Sequence, residues 1–403
     1  MNEQSSGSRA LERLNAGSII ALAQDLVRME SINPPANYGE ISPFIENWLT
    51  KLPGVEVRVV EPRPGKRNVV ARIPGRGQGP SVLISNHMDV VPAGVASEWN
   101  RPPFSAEIAD GRIWGRGTTD MKGATSAQLN AFKVVAETAQ PAGDIILACT
   151  VDDETAGEWG MKYLVDQGFA DLGWPKPGFH LLGEPTCLEI VCAFKGRLWI
   201  EIVVRGRAAH GGDPERGINA IDQMIRLTSA FKPLMNASHP LVGPDTFNLG
   251  VIEGGKQVNM VPEFCRARVD LRFGPGRTTE QLLDDIQATA RRVSAEAPLF
   301  SIEKFEVFER REAVEIDPAN AGVERFTACV ERVANRRPQL RGTLASGDLY
   351  HSLRAGIPGI FWGPGDMALA HTTNEYVETA ELIIAARVYA TALLELTAED
   401  FRA

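Results

Sequence analysis

Apolar positions recur in two styles along the chain, and the style changes near residue 194. Ahead of that point, helical spacing alternates with short apolar runs. Residues 16–31 place apolar side chains three and four apart, which predicts a helix that must stop before Asn33-Pro34-Pro35. Residues 40–52 predict a second helix, while VEVRVVE and residues 67–73 alternate as strands do. SVLISNHMDVV at 81–91 is almost continuously apolar between Pro80 and Pro92, the pattern of a strand buried on both faces. Residues 122–139 predict a helix, and DIILACTVD at 144–152 predicts another buried strand. Strands alternating with helices imply an α/β sheet covered on both sides, a three-layer sandwich.

From LWIEIVVRG (198–206) the order becomes strand, helix (217–233), strand segments TFNLGVIEGG and FCRARVDLRF, helix (278–296), and the strand-like SIEKFEVFE. This is a compact α+β unit. Beyond it, 318–335 is helical, GIPGIFWGPG is strand and turn, and 378–398 is a closing helix in the first style. The expected organisation is one discontinuous α/β domain, 1–194 and 311–403, interrupted by an α+β insert at 195–310.

Composition narrows the function classes. Of 403 residues, 44% are hydrophobic and 23% charged, the balance of an ordinary globular protein. A net charge of -9, from 51 acidic and 42 basic residues, argues against a nucleic-acid binder. No apolar run approaches the roughly 18 to 20 residues that cross a bilayer. The start, MNEQSSGSRALERLN, lacks the apolar core of a secretory signal. Five sparse cysteines, mostly in apolar runs, fit a reducing compartment, so a cytoplasmic location is expected.

Five short segments carry candidate chemistry. His87 and Asp89 in SNHMDVV are two apart, which in a strand places both side chains on one face. A ligating histidine commonly donates its second ring N–H to a carboxylate; the plainer reading is a polar pair finishing a strand. Asp120 follows Gly115 and Gly117 on a loop between strand and helix, where open α/β sheets collect ligands. It reads equally as a helix cap. Asp152, Asp153 and Glu154 directly follow a buried strand and repel one another unless cations or solvent offset the charge. Glu184 lies between a short apolar strand and Pro185, and His371 in a loop before the closing helix. Together, His87, Asp120, Glu154, Glu184 and His371 form a nitrogen and oxygen donor set suited to zinc, cobalt or manganese. Five ligands with one bridging carboxylate point to two divalent ions, an arrangement used for amide and ester hydrolysis. Asp153 is then free to act as general base.

SNHMDVVPAG, EWNRPPFSAEIADGRIWGRGTTDMKG, VDDETAGEWGMKYLV, GEPT, GRAAHGGDPERGINAI, VNMVPEFCRARVDLR and AHTTNEYV follow in order over nearly the whole chain. In them the sequence resembles the co-catalytic metallohydrolase family of acetylornithine deacetylase, succinyl-diaminopimelate desuccinylase, aminoacylase and carboxypeptidase G. The resemblance implies that one ion takes His87, Asp120 and Glu184, and the other Asp120, Glu154 and His371. It implies Asp153 as the base and Asp89 as the residue orienting His87. It implies too that the insert is a lid carrying a homodimer interface, with His210 reaching a neighbouring site to stabilise an oxyanion. Asn259 and Arg272 match lid positions that hold the carboxylate and carbonyl of a small substrate.

One departure is visible. The family generally has glutamate at the base position, and this chain has Asp153, one methylene shorter. A register with Glu154 as base would leave Thr155 as a poor ligand. The leading expectation is hydrolysis of the amide of an N-acyl amino acid or dipeptide-like compound. An aromatic amine or amide is the alternative that the aspartate raises, and a catalytically silent metal-binding relative is the other. Ser346, Gly347 and Asp348 are further candidates for substrate contact. His180, His239 and His351 are expected to be surface or satisfied core histidines, Trp99 and Phe104 wall packing, Trp362 core, and Lys195 a lid-entry residue.

Overall fold

The computed structural model describes residues 3–401 apart from 156, 297–300, 345 and 346, so the candidate Ser346 lies outside the described residues. The chain forms two compact units. One comprises Met1–Cys192, Ile316–Arg341 and Gly347–Ala403; the other comprises Ala193–Glu315 and Gly342–Ser346.

Six strands of the first unit lie in the spatial order Glu56–Val60, Asn68–Ile73, Ile145–Thr150, Val82–His87, Phe179–Leu182, Gly359–Phe361. The first two pair antiparallel with each other, and Asn68–Ile73 is antiparallel to Ile145–Thr150. The last four run parallel, with His87 opposite Thr150 and Ser85 opposite Leu182. Every residue of Val82–His87, Ile145–Thr150 and Phe179–Leu182 is buried, which explains their unbroken apolar runs. On one face Val70, Leu83, Ile146 and Ala148 pack against Met161, Leu164, Phe169 and Trp174. On the other, Asn86 donates to Gln128 of the buried helix Gly123–Thr138, which packs between Ala16–Arg28 and Thr379–Glu395. The unit is therefore an α/β three-layer sandwich, as its pattern implies.

Functional loops follow from this topology. Parallel strands bring their carboxyl ends to one sheet edge, so the segments after His87, Thr150 and Leu182 emerge side by side. Gly117 stands at φ +83 just before the Asp120 loop, and a Cβ there would lie 2.5 Å from Val90. Glycine alone tolerates both conditions at no cost. The helix Ala16–Arg28 is capped by Asn15 and ends three residues short of the expected position 31. Two features of this unit fall outside the expected pattern, the helix Glu3–Arg13 and a three-stranded sheet of Glu107–Ala109, Arg112–Trp114 and Tyr376–Glu378.

In the second unit, Thr246–Gly254, Phe264–Phe273, Gly196–Arg205 and Ser301–Arg311 form an antiparallel sheet in that order. Alternate residues Leu198, Ile200, Ile202 and Val204 meet Ala267, Val269 and Leu271 beneath the helices Ala220–Phe231 and Thr279–Glu296. The opposite face carries charge: Glu201 accepts hydrogen bonds from Arg268 at 2.7 Å and Lys304 at 2.8 Å. Among the described residues no helix is long and apolar enough to cross a membrane.

Candidate metal centre

His87 closes its strand, and its ring projects from the carboxyl edge of the sheet. Its Nε2 lies 3.0 Å from Asp120 Oδ1 and 3.9 Å from Glu184 Oε1. His371, on a loop at φ +64, places its Nε2 3.2 Å from Asp120 Oδ2 and 3.1 Å from Glu154 Oε2. Asp120 thus stands between two imidazoles, one on each oxygen. Five side chains that are distant in sequence converge on one spot. Asp153 joins them: its carboxylate, His87 and Glu184 offer donor atoms within 4.8 Å of one another. Asp153 Oδ1 also accepts the Asp348 N–H at 3.1 Å.

Asp89 behaves differently from the expectation that it shares a strand face with His87. The strand ends at His87, so the period of two no longer governs Asp89. The nearest partner of His87 Nδ1 is the Asp89 main-chain oxygen at 3.0 Å, with the carboxylate at 3.8 Å. The Asp89 carboxylate instead accepts the Asn33 side chain at 2.9 Å and the Glu154 N–H at 3.1 Å. It braces the segment that carries Glu154.

Charge in the pocket is unbalanced. Burial, then the neighbouring Asp120, pushes the Glu184 carboxyl well above the usual carboxylate range. Burial carries Glu154 up to about 7, with the Asp120 charge adding to it and the His371 hydrogen bond opposing. Hydrogen bonds to Asp120 and Glu154 lift His371 to about 10. Burial works to lower His87, but its hydrogen bond to Asp120 and the surrounding carboxylates hold it well above its ordinary value. All four shifts favour protons where positive charge is needed, and protons compete with divalent cations for the same atoms. Glu154 Oε1 is buried with no hydrogen-bond partner. A hard donor set with an orphaned buried carboxylate oxygen fits divalent ions.

Several bracing residues carry no signal in the sequence pattern. Glu375 is buried, accepts the N–H groups of Thr119 at 2.9 Å and Asp120 at 3.1 Å, and pairs with buried Arg116 at 2.5 Å. Asn33, which the sequence marks only as a helix stop, also reaches Tyr38 and Asp152. For Arg116 and Glu375 only their charge could have marked them.

The remaining candidates are placed as follows. Gly347 lies at the centre, where a Cβ would sit 3.3 Å from Glu184 Oε1, and Asp348 is buried with Thr150 Oγ1 donating to it at 3.3 Å. In the second unit, His210 and Asn259 are both exposed, on loops joined by the Gly211 N–H to the Asn259 oxygen at 2.7 Å. Arg272 holds Asp270 of its own strand through two nitrogens, at 2.8 and 3.1 Å. His180 is core: its ring nitrogens meet Ser85 and Ser352, and burial pushes it down to about 3. His239 faces Glu315, and His351 is buried. Trp99 and Trp362 are buried, Phe104 is half-buried, and buried Lys195 donates to the Pro244 oxygen.

Hydrolysis of an amide-type C–N bond with divalent ions is the chemistry that such a nest of imidazoles and carboxylates at the strand ends serves. The protein is of that class, a metal-dependent hydrolase. The chain belongs to the peptidase family M20/M25/M40, whose model matches residues 83–395. It is 28% identical over 390 residues to the N-formyl-4-amino-5-aminomethyl-2-methylpyrimidine deformylase of Bacillus subtilis (strain 168), covering 91% of each chain. It is 29% identical over 346 residues to the acetylornithine deacetylase of Proteus mirabilis (strain HI4320), covering 84% of each. Its fold is that of a dinuclear metal-binding peptidase of the M20 family from Bacillus subtilis, with a TM-score of 0.73 at 15% identity over 94% of this chain and 97% of that one.

Proposed function

We propose that the protein removes a small acyl group from the nitrogen of an N-acyl amino acid or dipeptide-like compound bearing a carboxylate. The observation that carries the reading is the meeting of His87, Asp120, Glu154, Glu184 and His371, with Asp153 beside them. His87, Asp120 and Glu184 would hold one ion, and Asp120, Glu154 and His371 the other. Zinc suits these donors best, with cobalt and manganese as substitutes. Bound there, two divalent ions supply Lewis-acid activation of water and carbonyl.

The chain's own groups supply the rest. Asp153, oriented by the Asp348 N–H, accepts a proton from the attacking water at its carboxylate and returns it to the departing amine. The Asp89 carboxylate keeps Glu154 in place by accepting the Glu154 N–H, and the Asp89 main-chain carbonyl fixes the His87 ring. The partner subunit's His210 stabilises the oxyanion of the tetrahedral intermediate. Asn259 and Arg272 hold the substrate carbonyl and carboxylate, Arg272 by exchanging Asp270 for the substrate. A cytoplasmic location is supported by five cysteines that are all free thiols.

A second reading, hydrolysis at an aromatic amine or amide, has its own support. The Bacillus subtilis relative is named for a formylated aminopyrimidine. The two separate in a panel of N-acyl amino acids, dipeptides, formylated aminopyrimidines and aryl amides, assayed with zinc, cobalt and manganese supplied separately. The first reading expects turnover of N-acyl amino acids that a chelator abolishes. Turnover confined to the aromatic compounds would establish the second.

A homodimer through the second unit is part of the proposal. Thr246–Gly254 is an edge strand, and Val251, Ile252 and the helix residue Ile225 expose 38%, 46% and 51% of their surface. An unpaired apolar edge of this kind invites a second chain. Sedimentation should give twice the single-chain mass, and Ile252→Lys should shift it to one chain. A monomeric wild-type protein at micromolar concentration would overturn the dimer.

A further inference from the structure

Three consecutive carboxylates follow the buried strand Ile145–Thr150, and each meets a different partner. Glu154 faces His371 at 3.1 Å, and Asp153 accepts the Asp348 N–H. Asp152 faces Lys66, whose Nζ lies 2.6 Å from its Oδ1. Lys66 comes from the turn between Glu56–Val60 and Asn68–Ile73, a part of the chain that supplies no proposed ligand. The two side chains are only 19% and 7% exposed, so water screens the pair poorly.

Asp152 is where the backbone turns. It stands at φ +77, a conformation that a non-glycine residue keeps only when its surroundings hold it there. Its surroundings do so at every polar group. The N–H donates to the Tyr38 hydroxyl at 3.0 Å, and the carbonyl accepts the Gly157 N–H at 2.7 Å. The carboxylate oxygen that meets Lys66 also accepts the Thr155 hydroxyl at 2.7 Å and the Asn33 amide at 3.4 Å. These partners are neutral. Among the described residues, Lys66 is the one cation in ion-pair contact with Asp152. A buried carboxylate without such a partner is costly and would turn toward water. The next two residues would then swing with it, and they are the proposed base and a proposed ligand.

We propose that Lys66 is a positioning residue: by neutralising Asp152 it fixes the turn that aims Asp153 and Glu154 into the centre. The assignment rests on the two-ion reading above. The ordinary alternative is an ion pair that serves folding alone, which would move the melting temperature and leave the site's parameters as they are.

The test uses the full chain as wild type, Lys66→Met, Lys66→Arg and Asp152→Asn. Metal-stripped proteins are titrated with zinc by calorimetry, and kcat and KM are measured on the best substrate of the panel. Loss of a bracing partner behind a ligand typically costs about 10- to 100-fold in metal affinity or activity. Lys66→Met is therefore expected to lower kcat by about tenfold or more with KM nearly unchanged, and to weaken one of two ions by about tenfold. Lys66→Arg, which keeps the charge, should recover most of both. Should Lys66→Met fail to fold, Asp152→Asn keeps the acceptor, removes the charge that Lys66 answers, and is expected to weaken the same ion. Wild-type kcat and two wild-type affinities in the folded variant overturn the role of Lys66 alone. A wild-type protein that binds fewer than two ions overturns the two-ion reading together with it.

Discussion

Asp153→Ala is expected to lower kcat by about a thousandfold while the protein still binds both ions. A positioned general base contributes typically about 10² to 10⁴ in rate, so the midpoint corresponds to about 4 kcal/mol of barrier. The prediction separates base from ligand. Asp153, His87 and Glu184 lie close enough together to hold an ion by themselves, so a ligand role would cost metal content when Asp153 is lost. The base role costs turnover only. Glu154 should respond the other way: Glu154→Gln removes one of the two carboxylates that face His371, and one proposed ion with it. The register with Glu154 as base and Thr155 as ligand predicts the reverse, and Thr155 spends its hydroxyl on Asp152 at 2.7 Å. Aspartate is shorter than the glutamate that the sequence resemblance leads one to expect at this position by one carbon–carbon bond, about 1.5 Å. The Asp348 N–H, donating to Asp153 Oδ1 at 3.1 Å, fixes the orientation of this shorter carboxylate. Metal analysis beside steady-state kinetics decides the matter: Asp153→Ala at wild-type turnover would end the assignment.

The strands that carry the centre were legible because they are buried on both faces. Val82–His87 and Ile145–Thr150 show unbroken apolar runs, and charged residues directly after such runs mark the carboxyl edge of the sheet. Short elements were not. Glu107–Ala109, Arg112–Trp114 and Tyr376–Glu378 have three residues each, too few to display a period of two, and only their pairing reveals them. The same limit caught Asp89, whose spacing from His87 carries meaning only while the strand lasts. Bracing contacts are hidden for another reason. Arg116 and Glu375 are 259 residues apart, Lys66 and Asp152 are 86 apart, and neither pair leaves a local periodicity. The proposed ligands stand out because each lies just after an apolar run or a glycine-rich turn, Glu154 as the third of three carboxylates. Their supports sit on turns where charged residues are commonplace.

Asp120→Ala is expected to cost more than the loss of any other proposed ligand, because both proposed ion sites use it. Its oxygens face two different histidines, His87 at 3.0 Å and His371 at 3.2 Å. In the proposed division Glu184 serves the His87 site, 3.9 Å from that ring, and Glu154 the His371 site, 3.1 Å from that one. Glu184→Gln should therefore lose one ion and keep the other, whereas Asp120→Ala should lose both. Lewis-acid stabilisation is worth several kcal/mol, and each 1.4 kcal/mol is about tenfold, so turnover should fall by about a thousandfold or more. Stability provides an independent readout. An ion that binds only the folded chain stabilises it by about 2.7 kcal/mol at a hundredfold excess over Kd. Zinc should raise the melting temperature of metal-stripped wild type, raise that of Glu184→Gln by less, and leave that of Asp120→Ala where it was. The backbone around residue 120 should survive the change, since Glu375 holds the Thr119 and Asp120 N–H groups whatever side chain follows. An Asp120→Ala protein that still takes up two ions, or melts higher with zinc as wild type does, would show that no carboxylate is shared and that the centre is built from other donors.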